Sequence, residues 1–317
     1  MCPTLRRCCP IPSAPGIWGC EPMAYKSGFF SLIGCPNVGK STLINALVGQ
    51  KISIVTDRAQ TTRNRITGVL TRDDYQMIFL DTPGMTTPKN KLGEYMQKTA
   101  GDCLSDVEAI LFLVDARKGV GERDRQIMAR LKLAKCPVLV LLNKCDIATK
   151  LQIDEAEEDL RAVGFANIHR ISAFQGTGLA ELEALLLGYL TEGPQYYPPD
   201  MVTDQPERLI CAEMIREKAL ELLKDEVPHG IGVSMDRMEL RADGQLMDCY
   251  ATILCERDSH KGIIIGRGGS MLKRIGSAAR EDMEWLLGVK VNLQLWVKIK
   301  DDWRNRQSVL NELGYEG

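Results

Sequence analysis

The 317-residue chain has almost no net charge, a formal −2 at neutral pH, so composition alone gives no general attraction to nucleic acid or to an anionic membrane. It has only three histidines, His169, His229 and His260, none paired at metal-ligand spacing. Its eleven cysteines include no C-x-x-C pair. The cluster Cys2, Cys8, Cys9 and Cys20 therefore lacks zinc-binding spacing, and with no apolar stretch of signal-peptide character the cysteines are expected to be reduced thiols. No run reaches the roughly 20 apolar residues of a membrane span, and there is neither an internal repeat nor a low-complexity tract. What is left is the composition of a soluble globular protein, 44% hydrophobic, in a chain longer than one core usually supports. Two domains are expected.

The octet Gly34-Cys35-Pro36-Asn37-Val38-Gly39-Lys40-Ser41 matches G-x-x-x-x-G-K-S. An apolar run, 29–33, leads into it and a helix-patterned stretch, 42–48, leads out, the strand–loop–helix order that a phosphate-binding loop needs. Such glycines let backbone N–H groups turn toward phosphate oxygens, Lys40 adds a point charge, Ser41 can ligate magnesium, and the helix beginning at Thr42 presents its positive end. A glycine-rich turn that merely joins strand to helix explains less of the pattern.

Asn143-Lys144-Cys145-Asp146 follows the buried-strand run 137–142. A carboxylate at Asp146 can accept from both the ring N–H and the exocyclic amine of guanine, whereas adenine would leave it unpaired. N-K-x-D alone is a weak match; about a hundred residues downstream of a phosphate loop it becomes specific. Between the two lies Asp81-Thr82-Pro83-Gly84 at the end of a strand-like run, 76–80. Asp81 is placed to hold magnesium through water, and the Gly84 amide to sense a γ-phosphate and lose it on hydrolysis. In Gln60-Thr61-Thr62-Arg63 a threonine hydroxyl, Thr62 in preference to Thr61, is expected to close over the metal. Ile171-Ser172-Ala173, after a further apolar strand, would complete the guanine pocket with backbone amides.

In this order and spacing the five motifs resemble a translation-factor-related GTPase. In the second half, Gly266-Arg267-Gly268-Gly269 forms a G-x-x-G loop before a helix pattern, 270–287. It is framed by a helix pattern at 206–224, strand-like runs at 231–240 and 246–256, and a last strand at 289–300. Helix–strand–strand–helix–helix–strand is the order of a type II KH module, whose loop clamps a nucleic-acid backbone. A phosphate-loop domain joined to such a module resembles the Era family of GTPases over residues 27–317, as do Leu295–Lys300 and the ending Glu312-Leu313-Gly314-Tyr315.

The fold class expected is α/β: a P-loop GTPase domain with a mostly parallel sheet, followed by a smaller α+β type II KH domain. Residues 1–22, rich in proline, are expected to be a disordered extension, with Met23 a candidate start. The GTPase domain is expected at 23–192, a stiff Pro/Gly-interrupted linker at 193–205, and the KH domain at 206–317. Acidic residues outnumber basic ones beyond residue 200, yet Arg257, Lys261, Arg267, Lys273, Arg274 and Arg280 stand against the single acid Asp258 around the G-x-x-G loop. Lys261, Gly266, Arg267, Gly268, Gly269, Lys273 and Arg274 are the expected RNA contacts.

The resemblance implies GTP and GDP as ligands, Mg2+ as cofactor, and the 3′ end of 16S ribosomal RNA in the immature small subunit as partner. It implies a cytoplasmic monomer with slow intrinsic turnover. For hydrolysis the expected residues are Lys40, Asn37, Thr62 and Gly84. Met85 stands where a Ras-like pattern has a water-orienting glutamine. Asn37 either helps ligate K+, as in the wider family, or stabilises the loop through its own side-chain hydrogen bonds. Two rival readings are a nucleotide-gated RNA-binding module with incidental hydrolysis, and a GTPase in peripheral contact with the cytoplasmic membrane.

Overall fold

The computed structural model describes residues 24–56, 58, 61–83, 90–102, 106–224 and 227–315. The segment 1–22, Gln60, Gly84 and Met85 lie outside the described residues, and so do the expectations that fall on them.

The first half is a sheet flanked by helices. Its elements are β1 (Lys26–Gly34), α1 (Lys40–Val48), β2 (Ile66–Thr71), β3 (Tyr75–Asp81), α2 (Lys91–Asp102), β4 (Ala109–Asp115), α3 (Glu122–Leu131), β5 (Val138–Asn143), α4 (Lys150–Ala162), β6 (Ile168–Arg170), α5 (Leu179–Leu186) and the two-residue β7 (Thr191–Glu192). The strand order is β2-β3-β1-β4-β5-β6, with β7 paired to the start of β1. Pairings of β1 with β3 and β4, β4 with β5 and β5 with β6 are parallel; β2 runs antiparallel to β3 and β7 to β1. The sequence of β4, AILFLVD, is buried at every position, as expected of a central parallel strand covered by helices on both faces. Two clusters result, one holding Phe30, Leu32, Leu43, Phe79 and Leu111, the other Ile33, Phe112, Val114, Met128 and Leu160. At the sheet's edge β6 has only three residues, none buried. The apolar strand expected before Ile171 is thus brief and only half-buried, at an edge with one neighbouring strand.

The second half is α6 (Glu207–Leu222), β8 (Gly232–Leu240), β9 (Leu246–Cys255), α7 (Asp258–Ile265), α8 (Ser270–Leu287), β10 (Lys290–Ile299) and α9 (Gln307–Glu312). The sheet order is β10-β9-β8; β10 is parallel and β8 antiparallel to β9, with a bulge between Met235 and Arg237. Cys249, Ala251, Ile253 and Cys255 alternate along one face of β9 and meet Ile275, Ala279 and Met283 of α8, the period-2 and period-3.6 patterns meeting in one core.

The two halves are packed together. α6 is buried almost all round, which an ordinary surface helix is not: one side faces the KH sheet and the other the GTPase half. Trp303, Val309, Leu310, Leu313 and Tyr315 of the tail pack with Leu92 and Met96 of α2. The stretch between the halves is not a free spacer. Gln76 Oε1 accepts the Tyr196 and Tyr197 amides at 2.9 and 3.0 Å, and the Val69 amide donates to Val202 O at 2.8 Å. That segment therefore lies along the first sheet, held by β2 and β3.

Candidate functional site

The carboxyl ends of β1, β3, β4 and β5 open on a cleft of about 1000 Å³, where α/β folds place their ligands. The loop after β1 bends round it. Asn37 adopts a left-handed φ of 65°, and Gly39, φ 102°, turns the chain into α1. An added Cβ at Gly39 would meet Asn143 Nδ2 at 2.2 Å, so only glycine fits. Lys40 is buried, its Nζ donating to Gly34 O at 3.1 Å and Cys35 O at 3.3 Å. Burial pushes its pKa down while the charge of Asp81 opposes the shift. Pro36, Ser41 and Thr42 line the cleft, and Val38 seals the loop from beneath at 4% exposure. The Cys35 thiol is pushed up to about 12 by burial, with Asp124 contributing, so it is no nucleophile.

At the opposite end Asp146 lines the cleft with its Oδ1 accepting the Ser172 hydroxyl at 2.7 Å. Asn143 ties three motifs together: its Nδ2 donates to Val38 O at 2.8 Å and its Oδ1 accepts the Ala173 amide at 2.9 Å. Lys144 Nζ donates to Asn37 O at 2.6 Å and to Asp115 Oδ2 at 2.9 Å. Ala173 lines the cleft as well, and the amides of this tripeptide have partners within the protein, Ser172 N–H donating to Thr177 O at 3.0 Å and Ala173 N–H to Asn143 Oδ1 at 2.9 Å.

On the metal side, Ser41 Oγ lies 2.7 Å from Asp81 Oδ2 and 2.9 Å from Thr62 Oγ1. Thr61 turns away, its hydroxyl donating to Arg58 O at 2.7 Å, while the Thr62 hydroxyl faces Ser41. Asp81 is fully buried, its Oδ1 has no hydrogen-bond partner, and burial drives its pKa upward against the pull of Lys40. An all-oxygen trio with a buried unpartnered carboxylate atom fits a hard divalent cation such as Mg2+. Thr82 Oγ1 donates to Leu32 O at 3.0 Å, and Pro83 is buried beside it.

In the second half the G-x-x-G loop caps α8. Gly266, Gly268 and Gly269 have φ of 73°, 58° and 80°, and space is open around the last two. Arg267, Lys273 and Arg274 are exposed and Lys261 half-buried. None of these four forms an ion pair among the described residues, whereas Arg280, further along α8, meets Glu284 at 4.0 Å.

Several residues at the cleft escaped the sequence reading. Asp115, 3% exposed, stands behind the cleft as the partner of Lys144 and was discoverable as the acid that ends an apolar strand. Phe174, Lys118 and Ile147 at the base end, and Leu220 and Glu221 of α6, carry no local signal, since loop and domain packing put them there.

This fold and site define a P-loop GTPase coupled to a type II KH domain. A family described as 50S ribosome-binding GTPase matches residues 29–144, and the KH domain family matches 226–304. The chain is 50% identical to the GTPase Era of Alkaliphilus metalliredigens over 93% of its own length and all of the relative's. It is 49% identical to that of Clostridioides difficile over 92% of its length and 99% of the relative's. Era of Aquifex aeolicus, solved with GDP·AlF4−, superposes with a TM-score of 0.87 at 39% identity, covering 92% of this chain and all of that one. Era solved with MgGDPNP and nucleotides 1506–1542 of 16S ribosomal RNA superposes at 0.88, with the same identity and coverage. The chain belongs to the GTPase Era family.

Proposed function

We propose that this protein is a GTP-operated factor that binds small-subunit 16S ribosomal RNA near its 3′ end and assists assembly of the small ribosomal subunit. The observation that carries the reading is the presence, in one chain, of a closed phosphate loop at Gly34–Ser41 and an open one at Gly266–Gly269. In support, the chain superposes over 92% of its length on an Era solved with a GTP analogue and that RNA. The functional units assigned are 23–192 for the nucleotide, 193–205 as connector and 206–317 for RNA.

In the nucleotide site, Asp146, held by Ser172, reads the guanine edge, and Lys144 and Asn143 brace it against the phosphate loop. The amides of residues 35–42 and the Lys40 ammonium take the phosphates. Ser41, Thr62 and, through water, Asp81 would hold Mg2+, which supplies charge neutralisation at the β- and γ-phosphates. Gly84 offers its amide to the γ-phosphate. With Met85 unable to polarise water, Asn37 would help hold a K+, which would supply positive charge against the developing phosphate charge. In the RNA half, Gly268 and Gly269 let a phosphate backbone approach while Lys261, Arg267, Lys273 and Arg274 supply unpaired positive charge.

The test is GTP turnover by the full chain with and without an RNA spanning the 16S 3′ end, and with small subunits or anionic vesicles in its place. Stimulation by RNA and small subunits but not by vesicles is expected. Turnover indifferent to all three would leave only a nucleotide-gated binding module, and stimulation by vesicles alone would overturn the ribosomal reading.

A further inference from the structure

Arg216 and Glu217 of α6 are 0% and 1% exposed. Buried ions need partners; some of theirs lie on α6 itself, as Glu213 and Lys218 do, and others in the other half of the molecule. Arg216 Nη2 donates to the backbone carbonyl of Thr61, while its Nε donates to Glu213 at 2.7 Å. Glu217 Oε1 accepts the Val55 amide at 2.8 Å, and its Oε2 accepts Lys51 Nζ. Lys51 reaches on to Asp282 of α8 at 2.8 Å, and Lys218 meets the same carboxylate at 3.0 Å. Arg58 Nη2 donates to Leu223 O at 3.2 Å, and Arg63 Nη1 to Ile231 O at 2.9 Å. Lys51, Val55, Arg58, Thr61 and Arg63 are thus each held by the RNA-binding half. Thr62 adjoins the carbonyl that Arg216 holds.

We propose that Arg216 and Glu217 are positioning residues of the nucleotide site: by fixing the Thr61 carbonyl and the Val55 amide they keep Thr62 facing Ser41 and Asp81, so the triphosphate arrangement is built only while α6 is docked. This rests on the assignment of Thr62 to the metal. α8 begins at the Gly266–Gly269 loop and carries Asp282 on the same rigid helix, so the RNA clamp and the switch segment share a support. Coupling of this kind is reciprocal: what steadies α6 and α8 favours the triphosphate, and the triphosphate favours that docking. A diphosphate, which needs only the phosphate loop and Asp146, makes no use of Thr62 and is indifferent to the clamp.

The test measures, on the full chain, affinities for a non-hydrolysable GTP analogue and for GDP, each with Mg2+, and the Mg2+ midpoint at fixed analogue. Glu217→Ala is expected to weaken the analogue about tenfold, within the usual range of coupling between sites, with GDP unchanged and the Mg2+ midpoint raised by a similar factor. Glu217→Gln keeps an acceptor for the Val55 amide but loses the ion pair, and should fall between. Should Glu217→Ala fail to fold, Lys51→Ala carries the test: a selective loss for the analogue of about threefold is expected. Equal losses for both nucleotides, or none for either, would overturn the proposal. If the unaltered chain itself fails to bind the analogue, the nucleotide reading fails instead.

Discussion

The loops Gly34–Ser41 and Gly266–Gly269 are both glycine-bearing turns that feed a helix N-terminus, yet their surroundings are opposite. Around the first, protein fills the space: a Cβ on Gly34 would meet Leu113 O at 2.6 Å and one on Gly39 would strike Asn143. Around the second, Gly268 and Gly269 face nothing within 4 Å, and their positive φ alone calls for glycine. The first is a slot closed by neighbouring strands, suited to one small ligand whose every edge is met. The second is a ledge open on one side, as a polymer backbone passing through requires. In the slot, specificity follows from convergence of distant residues; on the ledge, from local shape and unpaired charge.

That contrast can be broken most sharply at the base. Asp146→Asn exchanges acceptor for donor, and should cost GTP about a thousandfold in affinity while creating binding of xanthosine triphosphate. Titration with both nucleotides checks it, and equal GTP binding by the variant would sink the assignment. Next comes Gly39→Ala, which combines a strained φ with a 2.2 Å clash. A loss of about 3 kcal/mol in nucleotide binding or in stability is expected, visible by calorimetry and thermal melting.

On the ledge, replacing Arg267 and Gly268 together by aspartates should reduce RNA affinity about a hundredfold at constant salt through repulsion and lost approach. Nucleotide affinity should stay as it was. Unaltered RNA binding in a filter assay would mean that the loop is only a turn. A smaller effect concerns the slot's missing glutamine: if Asn37 helps hold K+, exchanging sodium for potassium should raise turnover several-fold, and Asn37→Ala should erase the difference. The smallest expectation is none at all. A chain beginning at Met23 should fold, bind and hydrolyse GTP like the full chain, and loss of folding would place residues 1–22 inside the structure.

Much of this was legible in one dimension wherever a motif's chemistry lies in contiguous backbone. The octet at Gly34–Ser41, the carboxylate of Asp146, the G-x-x-G loop and the alternation of two element types each announce a local geometry. The helices and strands around them fall within a residue or two of their expected bounds in most cases. Contacts between distant segments are not legible in this way: no local pattern marks that Thr177 O and Asn143 Oδ1 accept the Ser172 and Ala173 amides. The connector at 193–205 reads as a stiff spacer, yet Gln76 of β3 holds it along the first sheet.

By itself, then, the sequence determined a phosphate-loop GTPase domain followed by a KH module, because their motifs depend on side-chain type and backbone freedom at fixed spacing. Only the tertiary structure decided how the two are joined. Arg216 and Glu217 look in the sequence like the solvated face of a helix; burial between two domains turns them inward, where their charges must find partners. Besides Glu213 and Lys51, those partners include the Thr61 carbonyl and the Val55 amide, backbone groups that every residue carries and that no sequence pattern can mark.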